Sequence, residues 1–477
     1  MKIKEFLFLT AFLCLCGFRA PAQETENAAT PAVITLEQAL EIALSENSSV
    51  KVADMEIERT GYARKGTYAS LFPQIDGSAS YQRTIKKQVM YMDFSMPGAG
   101  ESGGSTSGGS TSGGGIEVGR WNTWSAAVNA AMPLVNAQLW KSLSVSDQDV
   151  ELSVEKARSS RLEMVTQVKS AFFACLLARE SFEVFKSVYE NALANLDDTQ
   201  KKYNAQRASE LDLARAKTSV ANAIPDVYDA ESSKILTLWR LKAVMGIDLD
   251  TDIDVAGSLA DYAEHMLYDI NETGEMSLEN NSTMRQLAIQ AEQLADAVKL
   301  QKYANLPTLS LAFSYSMNAM TNDFKFSEYK WSPHSYVGLS LQIPIFAGGK
   351  RANAIKQATV QARELDVQRA ETERQLRISI RQYLNSMETA MKSYSSALSA
   401  CESARKAYDI ATKSYSVGRS TFTDLQSAQL ALTQASMSVN TSIYNFVVAK
   451  ASLEGVLGAD FIDEDGNVKL NKTYDNE

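Results

Sequence analysis

The residues Tyr-Ser-Val-Gly-Arg-Ser-Thr-Phe-Thr-Asp-Leu at 415–425 have a counterpart 212 positions earlier, Tyr-Asn-Ala-Gln-Arg-Ala-Ser-Glu-Leu-Asp-Leu at 203–213. Each stretch begins with tyrosine, has arginine four residues later, and then has Ser or Thr followed three positions on by Asp. These last pairs are Ser209 with Asp212 and Thr421 with Asp424. Ser and Thr cap helix N-termini, and Asp in the first turn complements the positive end of the helix dipole. The two stretches therefore predict tight helical turns, each followed by a new helix.

Upstream of each turn, mostly apolar residues recur at alternating intervals of four and three positions. This spacing is typical of the contact seam of a coiled coil. In the second copy the positions are Leu376, Ile380, Tyr383, Met387, Ala390, Tyr394, Ala397, Cys401, Ala404, Tyr408, Ala411 and Tyr415. In the first copy they are Met164, Val168, Ala171, Cys175, Ala178, Phe182, Phe185, Tyr189, Ala192, Leu196, Thr199 and Tyr203, of which only Thr199 is polar. At about 1.5 Å per residue, a helix over 350–415 would be about 100 Å long.

Two pairs of prolines, Pro73 with Pro133 and Pro307 with Pro344, bracket stretches with a different period. Leu309, Leu311, Phe313 and Tyr315 alternate with small or polar residues, and so do Val337, Leu339, Leu341 and Ile343. Alternation with period two predicts strands that have one apolar and one polar face. The sequence therefore predicts β-hairpins over 73–133 and 307–346.

The first hairpin is longer than the second because it contains a low-complexity segment, Gly98–Gly115. Sequence rich in Gly and Ser cannot bury a core and is typical of a flexible loop. With this insertion removed, the two halves of the chain match in order. We interpret them as two internal repeats, and we expect the inserted loop at the strand tips.

The strands fit a membrane or a soluble location equally well when they are considered alone. Aromatic girdles are typical of transmembrane strands, and aromatic residues gather near the loop side of the hairpins: Tyr91, Trp121, Tyr329, Trp331 and Tyr336. In a membrane, four strands per chain would be too few, because small barrels need about eight and open edges are not tolerated in lipid. Chains would then have to pool their strands, and three chains would give twelve.

The N-terminus predicts export. Lys2 and Lys4 precede an apolar run, and Ala20-Pro-Ala22 provides a cleavage site. The predicted organisation is a signal peptide at 1–22, a first repeat at 23–245, a linking region at 246–285, a second repeat at 286–457 and an acidic tail at 458–477.

Catalytic and nucleic-acid-binding functions find little support. The net charge of −10 provides no electrostatic footprint for nucleic acid. A match to the hydrolase pattern G-x-S-x-G at Gly100–Gly104 lies in low-complexity sequence, without the strand and helix that it requires. The only histidines are His265 and His334, and no zinc motif is present. We predict a non-enzymatic protein without cofactor or metal. The alternative to a protein with membrane-spanning strands is a periplasmic coiled-coil adaptor or a structural protein.

The opening Ile34-Thr-Leu-Glu-Gln-Ala-Leu-Glu-Ile-Ala43, the segment Pro344-Ile-Phe-Ala-Gly-Gly-Lys350 and both helical turns resemble the outer-membrane efflux protein family, the TolC-like channels. The resemblance implies a mainly α fold with a membrane β-barrel portion. It implies a homotrimer with a 12-stranded barrel in the outer membrane and a long α-helical coiled-coil tunnel through the periplasm. The implied function is a passive exit duct in efflux or type I secretion, with a periplasmic adaptor and an inner-membrane pump as partners.

The resemblance also implies roles at the turns. In the closed state of the family's best-known member a tyrosine on one turn hydrogen-bonds an aspartate on the other, and these positions match Tyr415 and Asp212. A second link, from an arginine, falls on Ser420, so we expect it to be absent. An acidic constriction is expected near Asp424, although its companion position is Ser427. The expected adaptor-docking residues of the two turns are Tyr203, Arg207, Ser209, Gly418, Arg419 and Thr421.

Overall fold

The computed structural model describes residues 32–90, 116–263, 266 and 277–458. The predicted signal peptide, the Gly/Ser loop and all of the predicted tail except its first residue lie outside the described residues. Seven α-helices occur in the described part of the chain: α1 (Leu36–Glu46), α2 (Ser48–Ala69), α3 (Ala137–Asn204), α4 (Glu210–Met245), α5 (Ser282–Tyr303), α6 (Lys350–Ser416) and α7 (Phe422–Leu457). Helices α3 and α6, with 68 and 67 residues, are each about 100 Å long. The predicted long helices and their turns are confirmed.

The predicted seams coincide with the buried faces of α3 and α6. Every seam position from Leu376 to Tyr415 is buried or half-buried, and so is every position of the first seam before Tyr203. Cys175 lies in the core, and burial raises the pKa of its thiol to about 12. A thiol with such a pKa is unreactive and behaves as a small apolar residue.

One proline lies in the interior of a helix. Pro225 lies inside α4, which continues for a further 20 residues, to Met245. Proline has no backbone N–H, so the carbonyl of Ala221 loses its helical hydrogen bond at this point. Helix α4 therefore passes through Pro225 with one backbone hydrogen bond missing.

Four strands form one antiparallel sheet in the order β2 (Gln74–Arg83), β5 (Asn122–Val135), β7 (Thr308–Thr321) and β8 (Ser332–Gln342). Both predicted hairpins are present, as the β2–β5 and β7–β8 pairs. The register of the β5–β7 pair shifts between Pro133 and Val135. A bulge accommodates proline because the missing N–H then leaves no gap in a regular ladder.

The register separates an apolar face from a polar face across all four strands. Directly paired residues share a face, so Ile75, Ala130, Phe313 and Val337 lie together on the apolar one. On the other face hydrogen bonds join the Ser80 and Ser125 hydroxyls (2.6 Å), Asn129 and Asp76 (3.4 Å), and Ser314 and Asn129 (2.8 Å). The apolar side chains of β8 are exposed on this protomer. The apolar face therefore needs a covering that the protomer itself does not provide.

The two outer strands leave the sheet open at both sides. Among the described residues, β2 pairs only with β5 and β8 pairs only with β7. Short strands elsewhere pair as β3 (Gln88–Met90) with β4 (Ile116–Val118), and as β1 (Ala32–Ile34) with β6 (Ile253–Val255).

The main hydrophobic core lies midway along α3, where α1 and the C-terminal parts of α4 and α7 pack around the β1–β6 pair. Its largest fully buried side chains include Leu40, Phe172, Leu176, Leu241, Met245, Leu259 and Phe446. Gly246 ends α4 in the left-handed conformation, with φ of 78°. A Cβ there would lie 2.7 Å from the Glu46 carbonyl oxygen, so only glycine allows α1 and α4 to approach this closely. No helix in the described ranges combines the length and apolarity needed to cross a membrane.

Candidate functional site at the helical turns

The two turns share one backbone geometry. After α3, the Arg207 N–H donates to the Lys202 carbonyl (2.7 Å), and after α6 the Arg419 N–H donates to the Ser414 carbonyl (2.8 Å). This closing bond requires a residue in the left-handed conformation just before the arginine. Gly418 takes that place in the second turn with φ of 80°, and Gln206 takes it in the first with φ of 60°.

Both predicted caps are present and reciprocal. The Ser209 hydroxyl accepts from the Asp212 N–H (3.1 Å), and the Thr421 hydroxyl accepts from the Asp424 N–H (3.2 Å). Each Asp carboxylate accepts in return from the backbone N–H of its cap residue. Hydrogen bonds from the side chain and then the backbone of Thr421 hold the pKa of Asp424 below its ordinary value. The capping prediction is confirmed, and both carboxylates are already engaged by their own helix.

Tyr415 joins the two turns through a partner that the resemblance does not predict. Its hydroxyl lies 2.7 Å from Thr199 Oγ1, and the Thr199 hydroxyl in turn donates to the Asn195 carbonyl (2.7 Å). Tyr415 is therefore the donor to Thr199. Within the described residues the implied Asp212–Tyr415 hydrogen bond is absent, so this expectation is wrong for this protomer. The reason is that Asp212 is held in its cap, whereas the tyrosine ring turns inward to α3.

Lys202 closes over the same tyrosine. Its ammonium group donates to the Tyr415 carbonyl (2.9 Å) and lies 4.2 Å from the centre of the Tyr415 ring. Asp198, one turn back on α3, pairs with the ammonium group at 2.7 Å. A cation over an aromatic face is attracted by the ring quadrupole. Lys202 thus holds the end of α6 against the end of α3 from above the ring.

A small apolar cluster supports these polar contacts. It consists of Tyr415, Phe422, Leu425 and Ala216, all buried, with Leu196, Tyr408 and Ala411 packed against it. The Tyr415 and Phe422 rings meet nearly edge to face, with centroids 5.8 Å apart. On the outside, Arg215 donates to the Thr423 hydroxyl (3.2 Å). All four long helices therefore contribute to one junction at the turns.

The other predicted site residues lie around this junction without joining it. The Ser420 hydroxyl donates to the Ala411 carbonyl (3.4 Å), and Leu211 on the other turn is exposed. Ser427 is exposed on α7. The turn residues Tyr203, Arg207, Gly418 and Arg419 are also exposed.

Sequence reasoning missed Thr199 and Lys202. The signal for Thr199 was present, because it is the one polar residue in the first seam. A polar side chain on a buried face needs a hydrogen-bond partner, and a tyrosine seam residue can supply one. Lys202 gave no signal, since lysines near a helix C-terminus ordinarily serve the helix dipole.

Comparison with known proteins identifies the fold. A family model described as outer membrane efflux protein matches residues 39–247 and 274–459. The outer membrane protein TolC of Vibrio cholerae is 20% identical over 242 residues, which cover 49% of this chain and only 53% of that relative.

Solved structures agree over more of the chain. The Campylobacter jejuni CmeC outer membrane channel matches with a TM-score of 0.66 and 19% identity over 89% of this chain and 85% of that one. The Vibrio cholerae outer membrane protein VceC matches with a TM-score of 0.67 and 16% identity, over 89% and 96%. The open state of the Neisseria gonorrhoeae MtrE channel matches with a TM-score of 0.65 and 18% identity, over 89% and 88%. At these identities the structures establish the fold alone, whereas the family model spans most of the sequence. The chain therefore belongs to the outer membrane efflux protein family.

Proposed function

We propose that three copies of this chain form a passive exit duct of the outer membrane, which serves efflux or type I secretion together with a periplasmic adaptor and an inner-membrane pump. The observation that carries the proposal is the sheet. It has one apolar face, one polar face and two open edges, and it is attached to helices about 100 Å long.

The open edges favour closure by neighbouring copies. An unpaired strand edge in lipid leaves backbone groups without partners, at a cost of several kcal/mol for each group. Pairing β8 of one copy with β2 of the next would satisfy both edges. Three copies would give twelve strands, with the apolar face toward lipid and the polar face around an aqueous lumen.

Matched helix lengths favour two repeats that build one tunnel. Helices α2 and α5 both have 22 residues, α3 and α6 have 68 and 67, and α4 and α7 both have 36. Repeats of equal length would end at the same level, so all the turns of a trimer would form one ring at the periplasmic end. Asp212, Asp424 and Ser427 would lie near its mouth, and the exposed turn residues would meet the adaptor.

Membrane extraction and sizing test the architecture. We expect the protein to stay in the outer membrane through a carbonate wash and to leave it in detergent as a particle of three chains. A periplasmic adaptor would be released by carbonate, and a stable detergent-extracted monomer would contradict the pooled barrel.

Conductance across a planar bilayer tests the entrance. Thr199→Val and Tyr415→Phe each remove the buried hydrogen bond between the ends of α3 and α6, so we expect either variant to raise conductance while trimer yield is unchanged. Tyr203→Phe, at the matching position of the other turn, is the control and should conduct like the parent. If Thr199→Val and Tyr415→Phe conduct like the control Tyr203→Phe, the Thr199–Tyr415 contact does not hold the mouth closed.

A further inference from the structure

The loop between β7 and β8 folds back over the sheet at the end farthest from the helices. All four strands join helices at one end of the sheet, and residues 322–331 lie at the other. Tyr81, Trp124 and Ala319 are paired across the strands on the apolar face at this end. Ala319 is almost fully buried there, and the returning loop contacts the neighbouring residues Tyr81, Asn122 and Trp124.

Hydrogen bonds hold the loop in this position. The Asp323 carbonyl oxygen accepts from Asn122 Nδ2 (3.3 Å), from the Thr321 hydroxyl (2.9 Å) and from the Tyr329 hydroxyl (2.8 Å). Asn122 is only 2% exposed, and its Oδ1 accepts from the Tyr81 hydroxyl (2.9 Å). These hydrogen bonds fix the loop to the sheet, so the loop forms part of the sheet surface.

Aromatic rings form the outer layer of this surface. The Trp124 ring packs against Tyr81 with centroids 4.3 Å apart and meets Phe326 edge to face at 4.9 Å, and Phe326 packs against Tyr329 at 4.9 Å. Phe324 and Phe326 remain more than half exposed despite this packing. Exposed rings at the end of a membrane strand are typical of the interface between the hydrocarbon and the headgroups.

Cations surround the rings. The Arg83 guanidinium lies 6.0 Å from the Phe324 ring centre, and the Lys87 ammonium lies 4.7 Å from the Trp121 ring centre. Cations within 83–90, 117–123 and 321–331 are Arg83, Lys86, Lys87, Arg120, Lys325 and Lys330, whereas the carboxylates are Glu117, Asp323 and Glu328. This described end of the sheet is thus positive, although the whole chain has a net charge of −10.

We propose that Arg83, Lys87, Trp121, Phe324, Lys325 and Phe326, the tip patch, bind the phosphorylated glycolipid of the outer leaflet. The exposed rings would contact its sugars and upper acyl chains, while the cations pair with its phosphate groups. Guanidinium and ammonium groups bind phosphate through charge-assisted hydrogen bonds, and each cation near an anionic surface adds attraction. The inference relies on the proposed barrel, which turns this face toward lipid.

Native mass spectrometry of the detergent-extracted trimer tests the proposal. The probes are lipid A with both phosphates, lipid A without phosphate, and phosphatidylglycerol. We expect retention of the phosphorylated lipid A alone, and a loss of at least about tenfold in the variant Arg83→Gln, Lys87→Gln, Lys325→Gln. The matched control Lys356→Gln, Arg363→Gln, Arg369→Gln removes the same charge from exposed positions of α6 and should retain the lipid like the parent.

Three outcomes would overturn the site: equal retention by the tip-patch variant and the parent, equal retention of lipid A without phosphate, or equal retention of phosphatidylglycerol. If the triple variant does not assemble, Lys325→Gln alone and a salt titration of the unaltered trimer replace it. Retention by the unaltered trimer should then fall as ionic strength rises, because salt screens exposed charges, and retention that is insensitive to both changes would also overturn the site. Trimer assembly and conductance are measured on the same samples. Failure of the lipid site with both intact leaves the proposed duct standing, whereas absence of any trimer contradicts the duct itself.

Discussion

The two helical hairpins, α3–α4 and α6–α7, have nearly the same lengths, the same caps and the same turn geometry, yet they differ in burial. Helix α3 packs against α1, α2, α4, α5 and α7, whereas α6 packs mainly against α5 and α7. The tyrosines that end the two seams show the difference most clearly. Tyr415 is 8% exposed and Tyr203 is 38% exposed. Matching sequences thus give matching local structure, but their neighbours decide which copy carries the contact.

The reason for this asymmetry lies one helical turn back. Thr199 in the first seam corresponds to Ala411 in the second, 212 positions later. Tyr415 therefore finds a hydroxyl acceptor on the opposite helix. The mirror-image pair would join Tyr203 to Ala411, which has no acceptor in its side chain. The difference between Thr199 and Ala411 therefore allows the tyrosine–threonine hydrogen bond to form in only one direction, from Tyr415 on α6 to α3.

Truncating the two tyrosines should produce the largest contrast. We expect Tyr415→Ala to lower the free energy of opening the junction by about 3 kcal/mol, as for other large buried aromatic side chains. Tyr203→Ala should change it by less, because more of the Tyr203 side chain is already exposed. Hydrogen–deuterium exchange of the segments 196–204 and 408–416 in the detergent-extracted protein measures both. Equal acceleration in the two variants would mean that burial in the trimer differs from burial in the protomer.

Removing the acceptor alone should have a smaller effect. Thr199→Val keeps the shape but leaves the buried Tyr415 hydroxyl without a partner, which costs about 1 to 2 kcal/mol. Thr218→Val provides the control, since Thr218 is exposed and bonds only within its own helix. Exchange at 408–416 should accelerate in the first variant only. If the amides of 408–416 exchange at the parent's rate in Thr199→Val, the Thr199–Tyr415 hydrogen bond does not stabilise the junction.

The left-handed residues of the turns should respond in opposite directions. Gly418→Ala places a Cβ in open space, so its cost is the backbone strain of about 1 kcal/mol. Gln206→Gly should stabilise the first turn by a similar amount, since a residue with a Cβ already bears that strain there. Exchange of the Arg207 and Arg419 amides, which close the turns, reports each effect. Changes of the same sign would show that side-chain contacts outweigh the backbone.

The caps should give the smallest effect and a pH dependence. Thr421→Ala removes the hydroxyl that accepts from Asp424 and that lowers the pKa of Asp424. The pKa of Asp424 is lower in the folded than in the unfolded state. Its contribution to the stability of the folded state is therefore present above the ordinary Asp pKa and is lost as the pH falls through the pKa of the folded state. The variant should therefore open α7 more easily at neutral pH, and the difference from the parent should shrink in acid. Ser209→Ala is the matched comparison in the first turn, and the same exchange measurement at two pH values checks both.

The sequence by itself determined the parts of this protein that depend on near neighbours in the chain. The four-three seams specified α3 and α6, the period-two alternation specified the strands and their apolar face, and Ser209 and Thr421 marked the starts of α4 and α7. These patterns can be recognised in the sequence because side chains return to the same face of a helix or strand every few residues. Family resemblance extended this reading to the fold.

Only the tertiary structure decided which partners meet. Asp212 and Tyr415 were expected to bond, but the cap holds the first and Thr199 takes the second. Helix α4 continues through Pro225 despite its missing hydrogen bond, and residues 322–331 fold back to bury Asn122 under a loop without any periodic signal. Such contacts join residues as much as 216 positions apart. Their geometry depends on how whole helices and strands pack, so a local pattern can mark a residue such as Thr199 but cannot name its partner.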